Sequence, residues 1–293
     1  MKIEIKDETA PLEVVVLGIA NDMGAPLDIN PVSKSHMLNG TYPLETDIVL
    51  ELEAFEMALK EAGVEVLRPQ NLKGVEQMFT RDIGFVIDDK FVVANMKEPV
   101  RQIEFPGIES LLGNIPKERI LRLPKEAMVE GGDVIVHKNH LFVGISKRTN
   151  WAGYEFLKKE FPKKEVYALP LKVTDSPETN ILHLDCTFQP VGEGLCIIYE
   201  DGFKTKPEIL YQLFDQDKMI TVTMEEKQRM FPNVFSVAPN KVIIEENFSR
   251  LKHELNAQGI ETIEIKFQET SKLSGLLRCS TLPLRRTYPN SKN

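Results

Sequence analysis

Four short segments of this 293-residue chain carry the side chains able to do chemistry. MFTRDIGF (78–85) holds Arg81 and Asp82, and VEGGDVIV (129–136) sets Glu130 and Asp133 around two glycines. NILHLDCTF (180–188) spaces His183 and Asp185 two apart, and SGLLRCSTLPLRR (274–286) sets Cys279 among three arginines. Grouped carboxylates bind a planar cation through bidentate, charge-assisted hydrogen bonds. Histidine moves protons near neutral pH. Cysteine attacks as a thiolate, the form that nearby positive charge favours.

Taken singly, each residue also has a structural reading. Asp82 suits a turn, Glu130 a solvated turn, and His183 a satisfied core position. Gly131 and Gly132 are either plain turn glycines or places where the backbone comes close to a ligand. Cys279 reads as filler in a last strand or as a nucleophile, whereas Cys186 and Cys196 sit in apolar strands as packing residues. Period-two geometry predicts His183 and Asp185 on one strand face, with Leu184 and Cys186 on the other. His137 and His140 straddle a hairpin turn with no acidic ligand beside them, so a zinc site there is not expected.

The elements that must position these residues repeat. GFVIDDKFVVAN (84–95), GDVIVHKNHLFVG (132–144), TFQPVGEGLCIIY (187–199) and VFSVAPNKVIIEE (234–246) are hairpins with turn-forming centres. Helical spacing follows: Trp151, Tyr154, Leu157 and Phe161 after the second hairpin, and Phe248, Leu251 and Leu255 after the last. Near the N-terminus, Ile48, Leu52, Phe55 and Leu59 mark a helix stopped by Gly63. A further strand then ends each unit, giving β-β-α-β. The first unit shows one opening strand, EVVVLGI (13–19), so the chain's end, around Leu276 to Leu284, is expected to supply the other and close a ring without free edges. The expected fold is α/β: a pseudo-fivefold propeller of five ββαβ units, residues 1–293 forming a single domain. The acids, His-x-Asp and Cys279 fall at equivalent places in successive units, around a central channel.

Bulk properties exclude other classes. The formal net charge is -8 with no long Lys/Arg block, which argues against nucleic acid. No run approaches 18 apolar residues, so no membrane span is expected. The N-terminus is a poor signal peptide, and three cysteines without metal spacing suggest free thiols in a reducing compartment. A cytoplasmic protein acting on a small ligand is expected, as a monomer or homodimer.

FTRD, EGGDV, GISKRTN, HLDCTF and RCSTLPLRR, in that order, resemble the guanidino-group modifying enzymes: arginine deiminases, dimethylarginine dimethylaminohydrolases and amidinotransferases. The resemblance covers roughly residues 12 to 286 and implies a five-bladed α/β propeller of the pentein type. It implies Cys279 as nucleophile at the guanidinium carbon, His183 as general acid and base, and Glu130 as the acid beside the histidine or guanidinium. Asp82 and Asp185 become guanidinium-binding acids, and Arg101 and Arg148 hold a substrate α-carboxylate. The substrate would be arginine or a substituted arginine, with no metal or organic cofactor.

EGGD and the short chain resemble the hydrolases of this group, which implies hydrolysis through an amidino-cysteine. HLDCTFQPV resembles the deiminase and amidinotransferase version, which keeps amidino transfer as the alternative. RCSTLPLRR retains only Gly275 of the glycines usual before the cysteine. A non-enzymatic binding protein of related fold is the remote third reading.

Overall fold

The computed structural model describes residues 1–113 and 115–288. All four hairpins form where the alternating apolar pattern places them, and each is joined in parallel by a third strand. Strands β3 (Gly84–Ile87), β4 (Lys90–Val93) and β5 (Ile120–Arg122) make one sheet, with α3 (Pro99–Gln102) and α4 (Pro106–Leu112) in the crossover. Strands β6 (Val134–His137), β7 (His140–Ile145) and β8 (Glu165–Pro170) make the next, with α5 (Trp151–Glu160). Then come β9 (Phe188–Val191), β10 (Leu195–Ile198) and β11 (Met219–Thr221), with α6 (Glu208–Leu213), followed by α7 (Met224–Gln228). Strands β12 (Phe235–Ala238), β13 (Lys241–Glu245) and β14 (Glu261–Ile265) follow, with α8 (Ser249–Ala257), and then α9 (Gln268–Ser271).

The remaining sheet joins the chain's two ends. Strand β15 (Thr281–Arg286) pairs antiparallel with β1 (Leu12–Leu17), which pairs in parallel with β2 (Glu65–Leu67). Helices α1 (Pro31–Leu38) and α2 (Glu45–Glu61) lie between β1 and β2. The C-terminal strand therefore supplies the partner that the first unit lacks. The result is a mixed α/β fold of five small three-stranded sheets.

In α2, Ile48, Leu52, Phe55 and Leu59 are all fully buried. Each contributes about 1.5–3 kcal/mol, which outweighs the missing side-chain cap at Leu44, worth about 1 kcal/mol. Gly63 ends the helix at φ +82, a conformation that costs glycine little. In α5, Leu157 is buried but Trp151 is 55% exposed and only edges against Tyr154. The expected apolar stripe of α5 is thus narrower, because Gly153 packs flat on the Met128 backbone and leaves the first turn at the surface.

Two expected strand placements are corrected. Leu184–Cys186 form a 3-10 turn ahead of β9, and Cys279 lies in a turn ahead of β15. His183 and Asp185 consequently do not share a strand face. Residues Ile3 to Thr9 form a segment the sequence patterning did not show. It bridges Arg285, Asp88 and His137, and delivers the buried Glu8 into the interior. Among the described residues, no helix is long and apolar enough to cross a membrane.

Candidate active site

Each chemical residue sits just ahead of its unit's opening strand, and hydrogen bonds link these segments in a circle. Arg81 N donates to Cys279 O (3.1 Å), and Gly131 N to Asp82 O (3.2 Å). Leu184 N donates to Asp133 Oδ1 (2.9 Å), and Asn233 Nδ2 to Asp185 O (3.4 Å). Cys279 N then donates to Asn233 Oδ1 (3.1 Å) and returns the circle to its start. Thr80 Oγ1 reinforces one junction through Val16 O and Ser280 O. Each of the five units thus contributes to one buried cluster.

All seven expected residues are buried, Arg101 being the most open at 6%. His183 is the hub on one side. Its Nε2 lies 2.9 Å from Glu130 Oε2, and its Nδ1 lies 3.6 Å from Asp82 Oδ1. Neither Nδ1 nor that Oδ1 has a hydrogen-bond partner. Burial works against a charged ring, but Asp82, Glu130 and Asp133 outweigh it and raise the His183 pKa to about 9. At neutral pH the ring is an imidazolium. Burial likewise opposes charge on Asp82 and Glu130, yet His183 and the arginines hold both below the usual carboxylate range.

On the other side stands Cys279. Its Sγ is 3.5 Å from Asp185 Oδ2 and 3.1 Å from Asn233 Nδ2. Burial, then Asp185 and Asp82, push its thiol well above the ordinary range. Asp185 is clamped by Arg278, whose Nη1 donates to Oδ2 at 2.8 Å. Arg278 in turn forks onto Glu8, at 2.6 and 2.9 Å. Among the described residues, no hydrogen bond joins Cys279 Sγ to His183; Asp82 lies against both environments.

The two arginines read as carboxylate holders are already engaged. Arg101 donates to Asp82 (2.6 Å), to both oxygens of Glu104 (2.6 and 3.0 Å) and to Phe79 O (3.1 Å). That fork fixes Asp82 and leaves Arg101 little capacity for a substrate carboxylate. Arg148 is less committed: Nη1 reaches Glu130 at 3.3 Å and Nη2 donates to Ile29 O at 2.8 Å. Burial raises Glu104 and Asp133 to about 7.

Gly131 and Gly132 are not needed for a left-handed turn. A Cβ on Gly131 would lie 2.1 Å from Arg81 O, and one on Gly132 would lie 2.7 Å from the His183 ring. They are glycines because the Arg81 backbone and the His183 ring close on them. Gly132→Ala is expected to displace His183 and cut kcat by about 100-fold, while costing about 1–3 kcal/mol of stability. Steady-state kinetics and a melting curve check both parts.

The patterning missed Asn233, Arg278, Glu8 and Glu104. Asn233 had one usable signal: like Asp82 and Cys279, it stands two residues ahead of its strand (235 − 233, 84 − 82, 281 − 279). Asp82, Glu130 and His183 bring one ligand atom each within 4.8 Å of one another, spacing that a cation could bridge. The same three groups, with the ring carrying a proton between two carboxylates, are also placed for proton transfer.

Asp82, Arg101, Arg148, Glu76, Phe79 and Cys279 line a chamber of about 20 Å3, enough for about one water. Its roof is Ile29, Asn30 and Ser33 at the start of α1. Asn30 Nδ2 donates to Leu273 O at 3.3 Å, and Arg148 holds the Ile29 carbonyl. An amino-acid substrate requires this roof to lift.

Comparison with known proteins places the fold and its motifs in the guanidino-modifying superfamily. The amidinotransferase SxtG of Microseira wollei, from saxitoxin biosynthesis, superposes with a TM-score of 0.82 at 18% identity, over 98% of both chains. The N-terminal domain of ArgZ, a cyanobacterial arginine dihydrolase captured covalently bound to a reaction intermediate, gives 0.81 at 20% identity, over 93% of this chain and 98% of that one. Residues 28–286 match the family described as N,N dimethylarginine dimethylhydrolase, eukaryotic, and the chain belongs to that family. YkgA of Bacillus subtilis is 33% identical over 232 residues, 78% of this chain and 77% of its own.

Proposed function

We propose that this protein hydrolyses the guanidino group of arginine or a substituted arginine through a covalent amidino-cysteine. The observation that carries this reading is the cluster of buried carboxylates around Cys279 and His183, in which Asp82 Oδ1, 3.6 Å from His183 Nδ1, has no hydrogen-bond partner. A planar cation supplies the N–H donors that the Asp82 oxygen lacks. In this reading the five sheets are blades of a pseudo-fivefold propeller in one domain, with the site on its axis.

The guanidinium lies between Asp82 and Asp185, and its charge offsets the two carboxylates that keep Cys279 protonated. The thiol proton, 3.5 Å-range bonded to Asp185 Oδ2, departs through that carboxylate. The thiolate attacks the guanidinium carbon and forms an S–C bond. The departing amine takes a proton from the His183 imidazolium as its C–N bond breaks, a transfer typically worth roughly 10²–10⁴-fold. An amidino-cysteine remains, still cationic. Neutral His183 removes a proton from water, whose oxygen adds to the same carbon. The S–C bond breaks, returning the thiolate and releasing a protonated urea. The urea yields that proton to solvent, where the released amine stands as an ammonium ion, and Asp185 returns its proton to the sulfur. Arg148 receives the substrate α-carboxylate once the Ile29 carbonyl moves away.

Amidino transfer is the second reading. It is favoured by a cavity of about 220 Å3 next to the chamber, lined by Cys186, Lys227, Asn180, Leu182 and Ser274, with room for an acceptor amine. The test is a panel of arginine, dimethylarginines, agmatine and citrulline, with and without an amine acceptor. Ureido product matching released amine, without acceptor, is the expected result. Product only when acceptor is present would establish transfer, and neither product would sink the guanidino reading.

A further inference from the structure

The fifth unit carries no acid, base or nucleophile ahead of its hairpin, only FPNVF. Yet Asn233, fully buried, occupies the place that Asp82 and Cys279 hold in theirs. Its Oδ1 accepts from Cys279 N (3.1 Å) and Leu276 N (3.2 Å). Its carbonyl accepts from Arg278 N (3.3 Å). These contacts grip the nucleophile's turn at three points, residues 276, 278 and 279. They also settle the amide's orientation: with Oδ1 against two N–H donors, Nδ2 must face the sulfur, 3.1 Å away.

We propose that Asn233 is the positioning residue that presents Cys279 and stabilises its thiolate, an inference resting on Cys279 as the nucleophile. An amide N–H can only donate to sulfur, and a donated hydrogen bond is stronger to an anion than to a neutral thiol. Asp185, against the same sulfur, accepts and so favours the thiol. The two side chains oppose each other across Sγ. When the cationic substrate neutralises Asp185, the Asn233 hydrogen bond decides the balance. Asn233 spends Oδ1 on two N–H groups of the turn and Nδ2 on the sulfur and the Asp185 carbonyl, so it acts through the cysteine and not on the substrate.

Asn233→Asp tests this, because it keeps oxygen acceptors for the turn's N–H groups while removing the donor. The measurement is the pH profile of iodoacetamide alkylation in the full chain, followed on the Cys279 peptide by mass spectrometry. Cys279→Ala serves as the blank, and melting curves confirm folding. The expected result is a profile shifted up by about one pH unit, with alkylation about tenfold slower at neutral pH, and kcat falling while KM changes less than about twofold. If Asn233→Asp does not fold, Asn233→Ser, which is too short to reach the sulfur, is read in the same way. A folded variant whose profile overlays that of the wild type overturns the proposal. The alkylation profile does not depend on turnover, so a failure of the substrate panel and a failure of this inference are separate results.

Discussion

Cys279→Ala is expected to abolish turnover, by about 10⁴-fold or more, with little change in melting temperature. The expectation follows from where the sulfur sits. It is the only cysteine thiol among the described residues bracketed by a side-chain amide donor and a carboxylate. Cys196 lies in a β10 interior surrounded by apolar side chains, and Cys186 donates to Asp185 Oδ1 at 3.6 Å with no side-chain amide donating to its sulfur. Replacing –CH2SH by –CH3 leaves a small gap, costing about 1 kcal/mol, so lost activity cannot be assigned to unfolding. Acid-quenched wild type should carry the amidino mass on the Cys279 peptide during turnover. Cys279→Ala should carry none. Full turnover in that variant would remove the covalent mechanism altogether.

Most of the frame is written in local patterns. Alternating apolar runs around DDK, KN, GEG and PN locate four hairpins, and Asp88 and Lys138 take the positive φ their turns require. The lone strand at 13–19 predicts its partner at the chain's other end, and β15 pairs with β1. What local patterns miss is what long-range packing decides. HLDC alternates as a strand would, yet folds into a 3-10 turn because Asp133, 51 residues away, captures Leu184 N. Arg101 looks available for a ligand because Asp82, 19 residues away, becomes its neighbour only after folding; Glu104, three residues on, is the local half of the fork. Glu8 follows a short alternating run through Ile3 and Ile5, and its value appears only once Arg278 is buried beside it. Asn233 offers only its place two residues ahead of β12: an amide has no charge or nucleophilicity to draw attention, and its effect depends on geometry.

Asp82→Asn should show how far one carboxylate organises the site. Asp82 is the largest charge contribution holding the His183 proton, and it anchors the Arg101 fork. The amide keeps the shape and removes the charge. Rates for the best substrate should fall about 10³-fold, within the range of a lost proton-transfer or cation-binding group. The pH dependence gives the sharper reading. In the wild type, His183 must enter protonated, so kcat/KM should decline on the alkaline side near pH 9. In Asp82→Asn that limb should move toward neutrality. Stability follows with the same sign. The folded pKa of about 9 lies above the ordinary 6.5, so the proton on His183 stabilises the fold fully below about pH 6.5. That contribution disappears as the pH rises through about 9. The variant should therefore lose most stability relative to wild type in acid, and the gap should narrow in mild alkali. An alkaline limb left unmoved in Asp82→Asn would mean that His183 is not the acid it reports.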